Sequence, residues 1–234
     1  RLSGGVAKCL RMQGKCLYYI KRYDEAWMLM NQALDIAIQI DSKKQIVACH
    51  KQLYYLCREF KRMMNERGDE QASTLFFRES LLHEMYFSEK PRLAELTVRY
   101  EALRCDIMQQ YYMNKDYDNV IRIATSLDIH DDADPNASCL VYYYKAQAYV
   151  KLENYPMAKE AFFRELELRK KYLGWEEEDT ILACQNLGVL HSFCNEREEA
   201  LACFREAYGY EVKKNGEDSE MAQKLLQYIS VVES

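Results

Sequence analysis

Apolar residues recur at three- and four-residue intervals along most of the chain, as in Ile121, Ala124 and Leu127, and again in Leu182, Gln185, Leu187 and Leu190. This spacing gathers side chains on one face of a helix, whereas a half-buried strand would alternate. The pattern predicts about eleven helices: five antiparallel pairs and a last helix near 218–232, whose single stripe is Met221, Leu225, Ile229 and Val232. Residues 45–66 and 91–113 each read as one long helix. Asp24, Asp69, Asp116 and Asn195 stand where second helices of pairs should start, and short polar side chains cap exposed N–H groups there. Pro156 and Pro91 suit a first helical turn. The pattern lapses at 128–136, DIHDDADPN, which reads as an acidic linker, the most mobile internal segment. It divides 1–127, holding three helix pairs, from 137–234, holding two pairs and a capping helix, and is too short to make two independent domains.

The pairs are copies of one another. In 13–33, Gly14, Leu17, Tyr23, Ala26, Met30 and Ala33 fall at the offsets that Leu187-Gly188, His191, Ala200, Phe204 and Ala207 take in 186–207. Residues 144–166 repeat them with Ala146, Tyr149, Tyr155, Ala158 and Phe162, and 108–127 with Tyr111, Tyr117, Val120 and Ala124. A weaker copy has a Gly68-Asp69 turn, Ala72 as its small residue and Phe76 as its filler. Small residues at helix crossings with large ones between pairs resemble the tetratricopeptide repeat. The fold this implies is all-α, a right-handed α-solenoid of about five helix pairs plus a C-terminal capping helix. The small residues are spaced 46, 48, 38 and 42 apart, against about 34 in the family, so longer helices must absorb the excess. Leu173-Gly174, Asp179-Thr180 and Asn215-Gly216-Glu217-Asp218 make 170–222 similar to the repeats of kinesin light chains. Ala94-Glu95-Leu96 with Arg99-Tyr100-Glu101 resembles the helix that follows such arrays in bacterial sensor kinases and regulators.

Composition narrows the chemistry. Eight glycines and three prolines in 234 residues are too few for a β-sandwich or barrel. A net charge of −5 gives no general reason to bind nucleic acid, and no apolar run is long enough to span a membrane. Nine cysteines, with no C-x-x-C pair, read as reduced thiols of a cytoplasmic protein, with Cys16, Cys57, Cys184 and Cys203 packed as small hydrophobes. The start at Arg1 reads as a piece of a longer chain. His83-Glu84 opens no H-E-x-x-H, His191 and Cys194 find no second ligand pair, and the acidic loop from His130 to Asp134 lacks the glycine of a calcium loop. Phosphate-binding and nucleophile motifs do not occur. The expectation is therefore no catalysis, no metal and no cofactor.

What remains is recognition. Tyr18-Tyr19, Tyr54-Tyr55, Tyr111-Tyr112 and Tyr142-Tyr143-Tyr144 lie on first helices, where neighbours point about 100° apart, one to the core and one outward. Residues 1–68 carry 13 Lys and Arg against 6 Asp and Glu, while 69–234 carry 19 against 31. Lys8, Arg11 and Lys15 form one stripe on the first helix, beside Tyr18. The family resemblance implies a concave groove lined by first helices. Aligned on Gly14, the groove positions are these four, then Cys57 and Lys61, Gln109 and Tyr112, Tyr143 and Gln147, then Gln185 and Ser192. The expected function is a non-catalytic protein- or peptide-binding scaffold, taking an acidic or C-terminal segment at the basic end. The alternative is a sensory or regulatory domain of a larger, bacterial signalling or transcription-regulating protein.

Overall fold

The computed structural model describes residues 3–88, 100–125, 134–175 and 177–234. Among them lie eleven helices and no strand: α1 (Gly4–Tyr19), α2 (Tyr23–Gln39), α3 (Lys43–Arg67), α4 (Glu70–Glu84), α5 (Tyr100–Met113), α6 (Tyr117–Thr125), α7 (Pro135–Lys151), α8 (Tyr155–Tyr172), α9 (Glu178–Phe193), α10 (Arg197–Asn215) and α11 (Glu220–Glu233). The chain is all-α, with helices in consecutive pairs. None of the described helices is long and apolar enough to cross a membrane. The chain forms two compact units, Arg1–Gln110 with Thr125–Asp128, and Tyr111–Ala124 with Ile129–Ser234, so the division falls inside α5.

In the first unit, α1 packs on α2, α2 on α3 and α3 on α4. Its core sets Ala26, Met30, Ala33 and Leu34 of α2 against Cys49, Leu53, Leu56 and Phe60 of α3. Phe60 joins the pairs, with its ring 5.6 Å from Trp27 on α2 and 5.0 Å from Phe76 on α4. In the second unit α7 to α11 pack in sequence. There Ala146, Ala158, Phe162, Leu187, Ala200, Phe204 and Leu225 share one core. Small residues sit where first and second helices cross. A Cβ on Gly14 would lie 3.1 Å from Met30 Cε and 3.2 Å from the Ala26 carbonyl oxygen.

The few glycines and prolines are explained by the turns. Lys21, Asp41, Lys115, Glu153 and Asn195 take left-handed conformations, with φ between 49° and 62°, where Gly68 takes 76°. Each closes its helix with the same pair of backbone bonds. At the end of α1 the Lys21 N–H donates to the Tyr18 carbonyl and the Arg22 N–H to the Leu17 carbonyl; Glu153 and Asn154 repeat this with Val150 and Tyr149. These bonds satisfy the last carbonyls of the helix and hold a non-glycine residue in a conformation it otherwise avoids.

That recurrent turn corrects three readings. Asn195 is the left-handed turn residue itself, and Glu196 is the cap of α10. Asp24 lies inside the first turn of α2, where its charge suits the helix dipole. Asp69 does cap α4, accepting from the Ala72 N–H at 2.9 Å, and Asn154 caps α8 in the same way. Five residues beyond the turns at Lys21, Lys115, Glu153 and Asn195 comes the buried crossing residue: Ala26, Val120, Ala158 and Ala200. After Gly68 that position is Ser73, 4% exposed, not the half-buried Ala72, so the weak copy is shifted by one residue. Asp134 caps α7, with Pro135 in its first turn, so these residues belong to a helix start and not to the linker. The rest of the acidic linker, 128–133, lies outside the described residues, as do Pro91 and 91–99 of the long helix and most of the Ala94 to Glu101 resemblance. Cys16 is exposed rather than core, Cys203 half-buried, and all nine cysteines are free thiols.

Candidate functional site

In the first unit the basic stripe holds on α1. The stripe runs along the flank of the helix beside the buried Ala7 and Gly14, with Arg11 and Lys15 half-buried. Lys8 is exposed. Arg11 Nε makes a long 3.5 Å contact to Gln45 Oε1 on α3, so α1 and α3 are neighbours on that side. Lys15 Nζ lies 5.8 Å from the centre of the Tyr19 ring. Among the described residues no carboxylate reaches ion-pair distance of Lys8, Arg11 or Lys15. Tyr18 faces α3: burial first, then the Glu59 carboxylate and other nearby phenols, hold its hydroxyl above its ordinary range. Lys61 does not join them. It turns to α4 and lies 4.5 Å over the Phe77 ring. Cys57, read as a groove residue, is fully buried between α3 and α4. Gln109, on α5, is exposed.

The second unit brings Tyr112 and Tyr143 into one neighbourhood through Tyr144. The Tyr112 ring lies 5.9 Å from Tyr144, and Tyr144 lies 5.4 Å from Tyr143. Tyr143 and Gln147 lie one turn apart on α7. Burial raises the Tyr143 phenol, and the nearby Glu165 carboxylate adds to it. Gln185 on α9 is only 5% exposed, a core amide and not an open groove residue. Its second-unit companions Glu165 and Arg169 on α8 were missed in the sequence, because an i, i+4 acid–base pair reads as an exposed helix face. Here both are buried, with Arg169 Nε donating to Glu165 Oε1 at 2.8 Å and its Nη1 to Asp179 Oδ2 at 3.2 Å.

Burial pushes the Glu165 carboxyl up to about 7 against the opposing pull of Arg169. Its raised value gives a signed pH dependence. Between the ordinary value of 4.5 and about 7 the folded chain holds a proton that the unfolded chain has lost. The stabilisation is complete below that window and is lost as pH rises through it. Melting temperatures of the wild type and Glu165→Gln, compared at about pH 5 and about pH 8, should show a smaller fall in the variant. Equal falls would mean that Glu165 does not titrate there.

Beside this cluster α7, α8 and α9 leave a pocket of about 250 Å³, lined by Val150, Tyr155, Phe162, Val189, Leu190 and Phe193, with the amides of Gln147 and Asn186 at its wall. Phe193 is 66% exposed and edges the pocket against Tyr155, ring centres 5.1 Å apart. A larger hollow of about 380 Å³ between α7 and α8 is lined by Lys145, Glu160, Arg164 and Glu167. Its charges are of both signs, and Arg164 pairs with Glu167 at 3.3 Å, so it offers no single chemistry to a ligand. The smaller pocket is the better candidate because its lining is almost wholly apolar.

No family model matches the chain, and no curated protein matches it. Solved structures do. The crystal structure of BtubC (BKLC) from P. vanneervenii superposes with a TM-score of 0.53 over 87% of this chain and 80% of that one, at 14% identity. The TPR2AB domain of yeast Sti1, in a complex with pHSP90, covers 99% of this chain and all of that one at 16% identity, with a TM-score of 0.44. The similarity to BtubC is one of fold: this chain sets its helices in consecutive pairs, with no sheet among the described residues.

Proposed function

We propose that this chain is a non-catalytic scaffold that binds extended protein segments, and that its second unit takes a large apolar side chain into the pocket between α7 and α9. The observation that carries this reading is the pocket itself. Its volume of about 250 Å³ falls below the roughly 300–1,000 Å³ of small-molecule sites, and holds one or two side chains. Gln147 and Asn186 supply amides that can pair with the N–H and C=O of a bound backbone. The exposed Val189 and Phe193 extend the apolar surface outward. In the first unit, Lys8, Arg11 and Lys15, which pair with no carboxylate among the described residues, offer cations to an acidic segment.

Selection of a displayed random-peptide library on the whole chain tests both surfaces. Peptides held by the second unit should share one large apolar residue. Placing a charge in the wall with Val189→Glu should weaken them about 10–100-fold, the worth of one buried apolar side chain. The variant should melt as the wild type does, since Val189 is an exposed position. Acidic peptides should instead depend on Lys8 and Arg11: they should be lost on the double change Lys8→Glu, Arg11→Glu and weaken as salt rises. Selected peptides with no shared apolar residue, or ones indifferent to Val189→Glu, would remove the pocket from the reading.

A further inference from the structure

The first unit contains a side-chain cluster that peptide binding does not use. His50 and Cys57 are seven residues apart on α3, two turns along one face. Glu79 and His83 are four apart on α4, again on one face. The packing of α3 on α4 turns these faces together. Cys57 Sγ, a Glu79 carboxylate oxygen and a His83 ring nitrogen all lie within 4.8 Å of one another. All three residues, and His50 with them, are fully buried.

We propose that Cys57, Glu79 and His83 are the ligands of a divalent metal site, of the type zinc occupies, with His50 as the residue that positions His83. The ligand chemistry is that of zinc: thiolate, carboxylate and imidazole. One thiolate and one carboxylate neutralise the ion, which makes a fully buried site electrostatically balanced. The spacing also fits. Bonds of about 2.0–2.3 Å in a tetrahedron set ligand atoms roughly 3.3–3.8 Å apart. His83 Nε2 already stands 3.5 Å from Glu79 Oε1, and the sulfur needs only a small approach.

The two histidines select the ligand atom. Their Nδ1 atoms are 2.8 Å apart, a hydrogen bond that needs one proton between them. With that proton on His83, its Nε2 carries the lone pair that a metal requires, and His50 accepts at Nδ1. A hydrogen bond behind a ligating imidazole fixes its tautomer and ring plane. The His50 ring is itself held by stacking on Tyr86, centres 3.7 Å apart and planes within 11°. The alternative is a His83 protonated on both nitrogens and paired with Glu79, which needs neither metal nor Cys57.

The experiment is refolding of the full chain, reduced and treated with chelator, in the presence of Co²⁺ or Zn²⁺. Refolding lets the ion reach a buried site. One equivalent of Co²⁺ should bind and give a thiolate-to-cobalt charge-transfer band with tetrahedral d–d absorption. Zn²⁺ should displace it and raise the melting temperature. Cys57→Ser should abolish the charge-transfer band, and His83→Gln should abolish stoichiometric binding. His50→Phe, which keeps a ring against Tyr86, should retain the band and bind about 10–100-fold more weakly. Failure of the wild type to take up one equivalent overturns the proposal and leaves the buried ion pair. Binding unchanged in both Cys57→Ser and His83→Gln also overturns it, by placing the metal elsewhere. Should those variants not fold, zinc-edge X-ray absorption of the loaded wild type decides: one sulfur with at least one imidazole supports the site, and no sulfur, or more than one, refutes it.

Discussion

Gly188→Leu should destabilise the second unit by about 3 kcal/mol, at the upper end of what overpacking costs. A Cβ at this position would stand 2.8 and 2.9 Å from two Phe204 ring carbons and 3.0 Å from Cys203 Cβ. The ring cannot swing away. Phe204 is 1% exposed, shares the core with Ala158, Leu187 and Leu225, and stacks on Tyr228 at 5.2 Å. Cys203 Cβ belongs to the backbone path of α10, so relief there requires α9 and α10 to move apart. Gly14→Leu should cost less, because its closest neighbour is the end of the flexible Met30 side chain, at 3.1 Å. Chemical denaturation of both variants checks the order. A Gly188→Leu protein as stable as the wild type would mean that α9 and α10 do not cross at this residue.

Gly14 and Gly188 also show why the fold was legible. A close helix crossing admits only a small residue, so its position must recur wherever the crossing recurs, and Ala26, Ala158 and Ala200 repeat it. The signal weakened where the crossing residue was Ser73. A serine is as small as an alanine but reads as polar, and the adjacent Ala72 drew the register one place away. The turns were less legible. Lys21, Lys115 and Glu153 hold left-handed backbone without glycine, and what holds them is the carbonyls of the preceding helix, to which the residue type gives no clue. The same limit applies to the caps: Asn195 is the capping residue type, yet it holds the left-handed turn and Glu196 takes the cap position.

The candidate sites were legible where one helix carries them and obscure where two do. Lys8, Arg11 and Lys15 share a face of α1 by spacing alone. Lys61 matched the groove register but went to Phe77, because a lysine stem packs along any apolar ring within reach. Gln185 matched as well and is buried. Cys57, His50, Glu79 and His83 were each visible, yet their meeting depends on how α3 packs on α4. A ligand search by C-x-x-C or H-E-x-x-H cannot see a set split across two helices. Glu79-x-x-x-His83, two ligating types one turn apart, was the trace it left.

Truncation before Ser219 should make the chain associate into larger species than the full chain forms, because α11 covers one side of the second unit's core. Leu225 is fully buried there, and Met221, Tyr228, Ile229 and Val232 pack against the same cluster, along the stripe the sequence predicts. Arg205 pairs with Glu233 at 2.6 Å across the α10–α11 contact, an exposed bridge worth little by itself. The apolar contacts therefore carry the attachment. A helix that caps a stack of pairs presents one apolar face to the core and one polar face outward. The truncated chain should bind a hydrophobic dye and elute as larger species, with amide exchange accelerated in α9 and α10. The milder Leu225→Ala should cost about 2–5 kcal/mol through the cavity it opens against Phe204. A truncated chain that elutes as the full chain does, stays dye-free and exchanges equally slowly would show that α10 needs no cover, and that α11 is an appendage and not a cap.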